Sequence, residues 1–358
     1  MIDSRTNGDP LERVSVRSGR WEFLDSARGI AALLVVLQHS AERYPAIRVF
    51  SQRYLNLGEV GVIAFFLVSG FIIPVSIERY GSLGRFWIGR AFRLLPAYWT
   101  SFIAVLLVSQ FSGALSTPAG VNARYLIANL TMTQEVLHTP YGLAAYWTLS
   151  YEALFYVLCS VFFALGVLRR SGVLAISAIL SLLIGNLVFA EFFHRALSSE
   201  KLTVVVTAFI GTVFYRYSTD PSKRVVLLCC LASMVPAVIV ANYFRLGVYA
   251  KVGNAVPNCP LSGDLSILCG YVLFLVFFAL RAHQFPRVLT WLGRISYSVY
   301  LWHAIVLGLG PHNLRLCIQV PMILALTLAF ATLSFKFIET PALSLQHRLF
   351  PHKGPAGA

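Results

Sequence analysis

Apolar stretches near the roughly 20 residues that cross a bilayer recur along the whole chain, separated by short polar or basic turns. Ten of them predict transmembrane helices, at about 26–41, 58–77, 92–112, 147–168, 172–192, 202–217, 224–243, 265–280, 295–309 and 320–338. Several are short and carry polar groups, which fits helices facing a protein interior or a wet cavity more than lipid. The longest connections, 42–57, 113–146 and 244–264, hold no soluble domain, and the stretch after about residue 340 is too short to fold alone. The expected organisation is an all-α, polytopic membrane helix bundle. It has a basic tail over 1–20, one integral-membrane domain over 21–345 and a short tail over 346–358, with no appended soluble domain. The first 20 residues lack an apolar core ahead of a small-residue cleavage site, so they read as a retained tail and not as a signal peptide.

Composition narrows the class. Of 358 residues, 57% are hydrophobic and 12% charged, against roughly 45–50% and about 25% in soluble domains, which excludes a single water-soluble core. An aromatic content of 13% excludes disorder. The six cysteines are scattered and form no CxxC or Cys/His pattern, so neither a disulfide scaffold nor a metal site is expected. Cys159, Cys229, Cys230 and Cys269 lie in apolar stretches; Cys259 and Cys317 flank loops, where pairing stays open. The net charge of +14 sits in short turns, which is topology and not a nucleic-acid surface. With the N-terminus inside, the inner side holds 20 Lys and Arg and the outer side nine, so both termini are expected in the cytoplasm. Asn129-Leu130-Thr131 matches a glycosylation sequon at chance frequency only.

Polar groups inside the apolar stretches carry the candidate chemistry. In DSARGIAALLVVLQHS, Arg28 precedes His39 by eleven residues, which puts them within about 20° around a helix and roughly 16 Å apart along it. They read as two stations on a path, Arg28 near the inner end and His39 toward the outside. A snorkelling arginine and a hydrogen-bonded interior histidine are the structural alternative. Because imidazole takes up and returns a proton near neutrality, a functional His39 is a general base. Ser69-Gly70, within GVIAFFLVSGF, marks either a close approach to substrate or, preferably, small-residue helix packing. Arg85, Arg90 and Arg93 lie in RFWIGRAFRLLPAYW at the inner surface. Arg90 and Arg93, three apart, form one guanidinium clamp for phosphate on a helix, while positive-inside charge with an aromatic belt accounts for them equally. Glu152 sits about one turn inside the outer boundary of its span, where an unpaired carboxylate is costly. Tyr297, Tyr300 and His303, within GRISYSVYLWH, read as part of a substrate path or as a buried structural network. Glu339 and Pro341 close the last span, for which a helix stop is sufficient explanation.

Six of these segments, in order, resemble the type-3 acyltransferase family, membrane enzymes that O-acylate sugars and other acceptors using cytoplasmic acyl-CoA. The resemblance covers roughly 23–341. It rests on FLDSARGIAALLVVLQH, FFLVSGF at 65–71, RFWIGRAFRLLPAYW at 85–99, WTLSYEALFY at 147–156, LGRISYSVYLWH at 292–303 and FIETP at 337–341. It implies that Arg28 and His39 match the family's first-helix pair, and that Arg90 and Arg93 match its inner-surface arginine motif, attributed to the CoA phosphates. Members often carry an extra periplasmic hydrolase-like domain, which the reading does not expect here.

The function expected is an O-acyltransferase, foremost an O-acetyltransferase, in a bacterial inner (plasma) membrane. It would take acetyl-CoA or another acyl-CoA at the inner surface and acylate a hydroxyl of a surface glycan, such as a polysaccharide or lipopolysaccharide, or of a lipid-linked saccharide. Glu152 is expected to orient the His39 imidazole or to contact the acceptor, and Arg28 to hold part of the acyl-CoA. No metal and no nucleic acid is expected. A proton-coupled transporter of a small anionic or sugar substrate is the competing reading; it calls for two halves with matching broken helices, which the spacing does not show. A non-catalytic assembly protein would need none of these ionisable residues. Acceptor identity and oligomeric state are not encoded in any pattern of the chain.

Overall fold

The computed structural model describes residues 21–112, 115, 121–194, 199–252, 259–311 and 314–350. The tail expected over 1–20 and the end of the one expected over 346–358 lie outside them. All regular elements among the described residues are helical. In chain order they are α1 Glu22–Ala41, α2 Pro45–Arg53, α3 Leu57–Tyr80, α4 Leu83–Ser112, α5 Ala123–Thr131, α6 Trp147–Ala164, α7 Ser171–Phe192, α8 Ser199–Thr219, α9 Arg224–Val252, α10 Pro260–Ala279, α11 Arg287–Leu309, α12 Leu316–Ser334 and α13 Thr340–Leu349. Each of the ten apolar stretches corresponds to one helix; α2 and α5 are short helices within connections.

Among the described residues seven helices are long and apolar enough to cross a membrane, those built on α3, α4, α6, α7, α9, α10 and α12. The three that fall short, α1, α8 and α11, lie inside the bundle. There α1 packs along α11 and α3, and α3 packs along α8 and α10. Their polar side chains are buried against protein: Gln38 and Ser40 on α1, Thr203, Thr207 and Thr212 on α8, Ser296, Ser298 and His303 on α11. A helix wrapped by helices need not be apolar toward lipid, which is why composition alone marks these three as weak spans. On the periphery α7 turns Val173, Ile176, Leu180, Ile184 and Leu187 outward as one apolar stripe.

Small residues set the helix spacing. A Cβ on Gly29 would lie 2.8 Å from that of Leu292, and one on Gly293 would collide with the Asp25 carbonyl, so α1 and α11 touch backbone to backbone. A Cβ on Gly70 would likewise strike the Ala208 carbonyl of α8. The packing reading of Gly70 thus describes its environment, and any larger side chain there or at Gly293 must push the helices apart.

Four details depart from or complete the sequence reading. The connection over 78–93, expected on the inner side, is mostly helix: α3 ends at Tyr80, Gly81 caps it with a left-handed φ of 61° at no Cβ cost, and α4 starts at Leu83. Arg85, Arg90 and Arg93 therefore stand on the first turns of α4. Nor does Pro341 stop the chain. A π-helical turn, Phe335–Glu339, leads directly into α13, where Pro341 occupies the first turn and needs no N–H partner; α13 continues to Leu349, past the domain limit expected at 345. Asn129 is fully buried and holds Tyr125 O, Pro140 O and the Gly142 N–H, a structural role in place of a glycan site. All six cysteines, including Cys259 and Cys317, are free.

Candidate active site

The two ends of α1 lie in different surroundings. Its N-terminal end packs among the C-terminal ends of α3, α8 and α10. Trp21 and Phe23 set their edges on Phe71 at 5.3 and 5.7 Å, Phe71 meets Tyr215 at 5.5 Å, and Phe23 meets Phe278 at 6.1 Å. The same end carries a forked ion pair between Arg216 and Glu78. Arg28 stands one turn above this layer. His39 stands at the opposite end of α1, beside the starts of α3 and α10.

His39 meets His303 of α11, with Nδ1 of the first 2.9 Å from Nε2 of the second. The rings are 12° from parallel with centroids 5.1 Å apart. That separation is an N···N contact extended by two ring radii, so the contact lies in the ring planes and is a hydrogen bond, not a face-to-face stack. Nδ1 of His303 lies 2.6 Å from the Tyr300 carbonyl one turn back, and no part of the His303 side chain reaches solvent, at 0% exposure.

A cavity of about 230 Å³ opens at His39, lined also by Asn56, Glu59, Trp147, Glu200 and Asn242. A smaller one of about 50 Å³ lies toward the other end, lined by Arg28, Ser69, Glu152, Ser296 and Tyr297. Val62 and Tyr300 belong to the walls of both, so the two adjoin along a single face of α1 as a stepped passage interrupted at that wall. The Tyr300 hydroxyl at the step donates to Ala145 O at 2.9 Å and lies 2.7 Å from the Thr148 hydroxyl. Past the C-terminal end of α1, His39 borders an open cleft with Glu42, Arg43, Arg48 and Gln52.

Below the step, Glu152 Oε1 accepts hydrogen bonds from Ser69 Oγ at 3.0 Å and from the Tyr156 hydroxyl at 2.5 Å. The Tyr156 ring in turn faces Arg90, whose guanidinium lies 5.9 Å from it, 5.5 Å from the Phe86 ring, and donates to Ser76 Oγ at 2.8 Å. Tyr297 donates to Leu94 O at 3.0 Å, tying α11 to α4. Glu339, at 1% exposure, accepts from Ser298 Oγ at 2.5 Å and lies within electrostatic reach of Arg93 and Arg28. Arg85 is exposed on the first turn of α4.

Beyond the helices, the segment between α5 and α6 walls the 230 Å³ cavity through Ala144 and Ala145. It is pinned by Glu135, which accepts from Lys201 and from the Tyr141 hydroxyl, with Lys201 set over the Tyr151 ring at 5.8 Å. Burial pushes the Glu135 carboxyl up, but the hydrogen bonds from Lys201 and Tyr141 and the lysine charge outweigh it and hold the group below its ordinary value.

The fold thus gathers His39, Arg28, Ser69, Glu152 and Tyr297 onto one passage, with His303 behind His39 and Arg90 beneath Glu152. Sequence spacing had joined Arg90 and Arg93, and Glu152 was expected either to orient the His39 imidazole or to contact the acceptor. Arg90 turns to Ser76 and Tyr156, whereas Arg93 lies toward Glu339. The partner on the imidazole is His303, while Glu152 is engaged with Ser69 and Tyr156. Glu339 was read only as part of a helix stop; its signal was a carboxylate in an apolar stretch, the feature that singled out Glu152. Among the described residues no three His, Cys, Asp or Glu groups converge on a metal-sized site.

Known proteins place this arrangement. The acyltransferase domain model matches residues 21–338. Peptidoglycan O-acetyltransferase OatA of Listeria monocytogenes is 25% identical over 387 residues, covering 89% of this chain and 55% of that protein. A Staphylococcus aureus protein named provisionally as an O-acetyltransferase is 26% identical over 364 residues, covering 89% of this chain and 56% of its own length. BcsY of Komagataeibacter xylinus, named provisionally as a membrane-bound transacylase, is 27% identical over 361 residues, with 94% and 87% covered. The chain spans about half the length of the first two relatives. No solved structure matches. The matched region runs from the start of α1 to the π turn and contains the whole passage from Arg28 to His39, and the chain belongs to the acyltransferase family.

Proposed function

We propose that the chain is a membrane O-acetyltransferase that takes acetyl-CoA from the cytoplasm and acylates a saccharide hydroxyl reached from the outer side. In this reading ten helices cross a bacterial inner membrane, both termini are cytoplasmic, and the Arg28 end of α1 is the inner end. The observation that carries it is the stepped passage, with an arginine at one end and an imidazole at the other. The rise of an α-helix over eleven residues, about 16 Å, is of the same order as an extended pantetheine arm, so a thioester held near Arg28 by its carrier reaches toward His39. Arg90 and Arg93 serve the CoA phosphates, with Arg85 at the entrance. The saccharide enters the 230 Å³ cavity, whose Trp147, Asn56 and Asn242 offer a ring face and amides to a sugar. One relative is named for peptidoglycan, which supports a glycan acceptor.

The transfer balances without a metal. His39 accepts the acceptor hydroxyl proton as the oxygen attacks the thioester carbonyl; the C–S bond breaks, and the same proton returns to the sulfur, giving an ester and free CoA thiol. Glu152, bound to Ser69 and Tyr156, counters the positive charge of Arg28 beside the narrow part of the passage. The test uses purified protein in inside-out and right-side-out vesicles with radiolabelled acetyl-CoA. Label transfer or slow CoA release is expected only when the donor meets the cytoplasmic face. Solute accumulation without CoA release would instead mark a transporter, and donor use from the outer face would overturn the orientation.

A further inference from the structure

We propose that His303 is the positioning residue of the reaction, holding His39 in the single tautomer that makes Nε2 the proton acceptor. The inference rests on the reading of His39 as base and goes beyond it by assigning the atom and its support. A carbonyl oxygen only accepts, so the 2.6 Å contact between His303 Nδ1 and Tyr300 O requires a proton on that nitrogen. In the neutral ring Nε2 is then a bare lone pair. His39 Nδ1, 2.9 Å away, must carry the hydrogen between them, which leaves His39 Nε2 as the unprotonated nitrogen on the side of the ring away from α11. Reversing the chain would either set two lone pairs against each other or place an imidazolium at His303, whose side chain has 0% exposure.

The arrangement also decides where the proton goes. Once Nε2 has taken the acceptor proton, His39 is a cation whose Nδ1–H still points at the His303 lone pair. His303 cannot relay it further, because its own N–H ends on a backbone carbonyl. The proton therefore stays on His39 Nε2 until the departing thiolate collects it, so the pair returns the proton it took. The distance between the two rings is fixed by the α1–α11 contact at Gly29 and Gly293 and by Tyr300, whose hydroxyl anchors the same turn of α11 to Ala145 O at 2.9 Å. A neutral imidazole here does what a carboxylate does in a hydrolase triad: it fixes the tautomer and orientation of the base.

Three substitutions separate this role from packing. In H303Q the amide oxygen falls near the position of Nε2 and can still accept from His39; in H303N it falls near Nδ1 and cannot; H303L offers nothing. Turnover and donor KM are measured on the purified full chain with radiolabelled acetyl-CoA, alongside donor binding and thermal unfolding. H303N and H303L are expected to lose about ten- to a hundredfold in kcat, the worth of one or two lost orienting interactions, with donor KM nearly unchanged. H303Q should retain most of the activity. Wild-type turnover by H303N, or equal loss in H303Q and H303N, would overturn the proposal, as would a parallel rise in donor KM across all three. If H303L fails to fold, the Gln–Asn split still decides. His39→Ala distinguishes the two levels: full turnover in His39→Ala sinks the reading of His39 as base, whereas an inactive His39→Ala beside a fully active H303N sinks only the role of His303.

Discussion

Replacing Arg90 by alanine should weaken donor binding and loosen the α3–α4 end of the bundle by amounts that can be separated. Its guanidinium donates to Ser76 at 2.8 Å and lies over the Phe86 and Tyr156 rings at 5.5 and 5.9 Å. Cation–π contacts are worth about 0.5–1 kcal/mol each at partly exposed sites, and a hydrogen bond of this kind contributes about 1 kcal/mol. The fold therefore loses about 2–3 kcal/mol in Arg90→Ala. These contacts leave other N–H donors, among them Nε, which is buried with no acceptor among the described residues. A phosphate bonded there adds about 1.5–3 kcal/mol, so the variant should bind acetyl-CoA roughly ten- to a hundredfold more weakly. Arg90→Lys keeps the charge and the ring contacts but loses the planar fork, and should fall between. Titrations of detergent-purified protein with CoA and with dephospho-CoA, which lacks the 3′-phosphate, read the affinities, and thermal unfolding reads the stability. Dephospho-CoA should bind wild type more weakly and distinguish the variants less. If Arg90→Ala unfolds earlier but binds CoA like wild type, Arg90 is a wedge between helices and the donor contact is wrong.

Arg28→Lys should weaken donor binding measurably less than Arg28→Ala if the guanidinium makes a bidentate contact; equal affinities in the two would remove that contact. Glu152→Gln keeps an oxygen for Ser69 and Tyr156 but removes the charge from the cavity it shares with Arg28, so activity should fall while expression and melting temperature hold; unchanged turnover would return Glu152 to a purely structural role. Glu135 gives a pH effect of definite sign. Because its carboxyl is held below the ordinary value of 4.5, its contribution is complete above that value and is lost as pH falls through the lower, folded value. Limited proteolysis between α5 and α6 should accelerate in that acidic window, and Glu135→Gln should show the faster cleavage at neutral pH too.

Much of this architecture is legible in the chain because lipid imposes an apolar run of fixed length on each outer helix. The passage is legible for the opposite reason: Arg28, His39 and Glu152 stand out where apolar residues are the rule. Contacts across large sequence separations are not legible. Nothing local pairs His39 with a residue 264 positions away, and that pairing depends on two glycines letting α1 and α11 touch. Arg90 and Arg93 look like one clamp because a three-residue step keeps side chains near each other on a helix; the roughly 60° that remains between them is enough to send one to Tyr156 and the other toward Glu339. Pro341 misled for a related reason, since proline ends a helix only where its N–H is missed, and the π turn before α13 puts it where it is not.

The proposed reaction stands or falls on the His39 imidazole as the group that performs the proton transfer. The measurement that meets it directly is the single-turnover rate of label transfer from acetyl-CoA by His39→Ala, made beside its donor affinity. The rate should fall by about 10² to 10⁴ with donor affinity and membrane insertion unchanged, and wild-type transfer by a well-folded His39→Ala would remove the imidazole from the reaction.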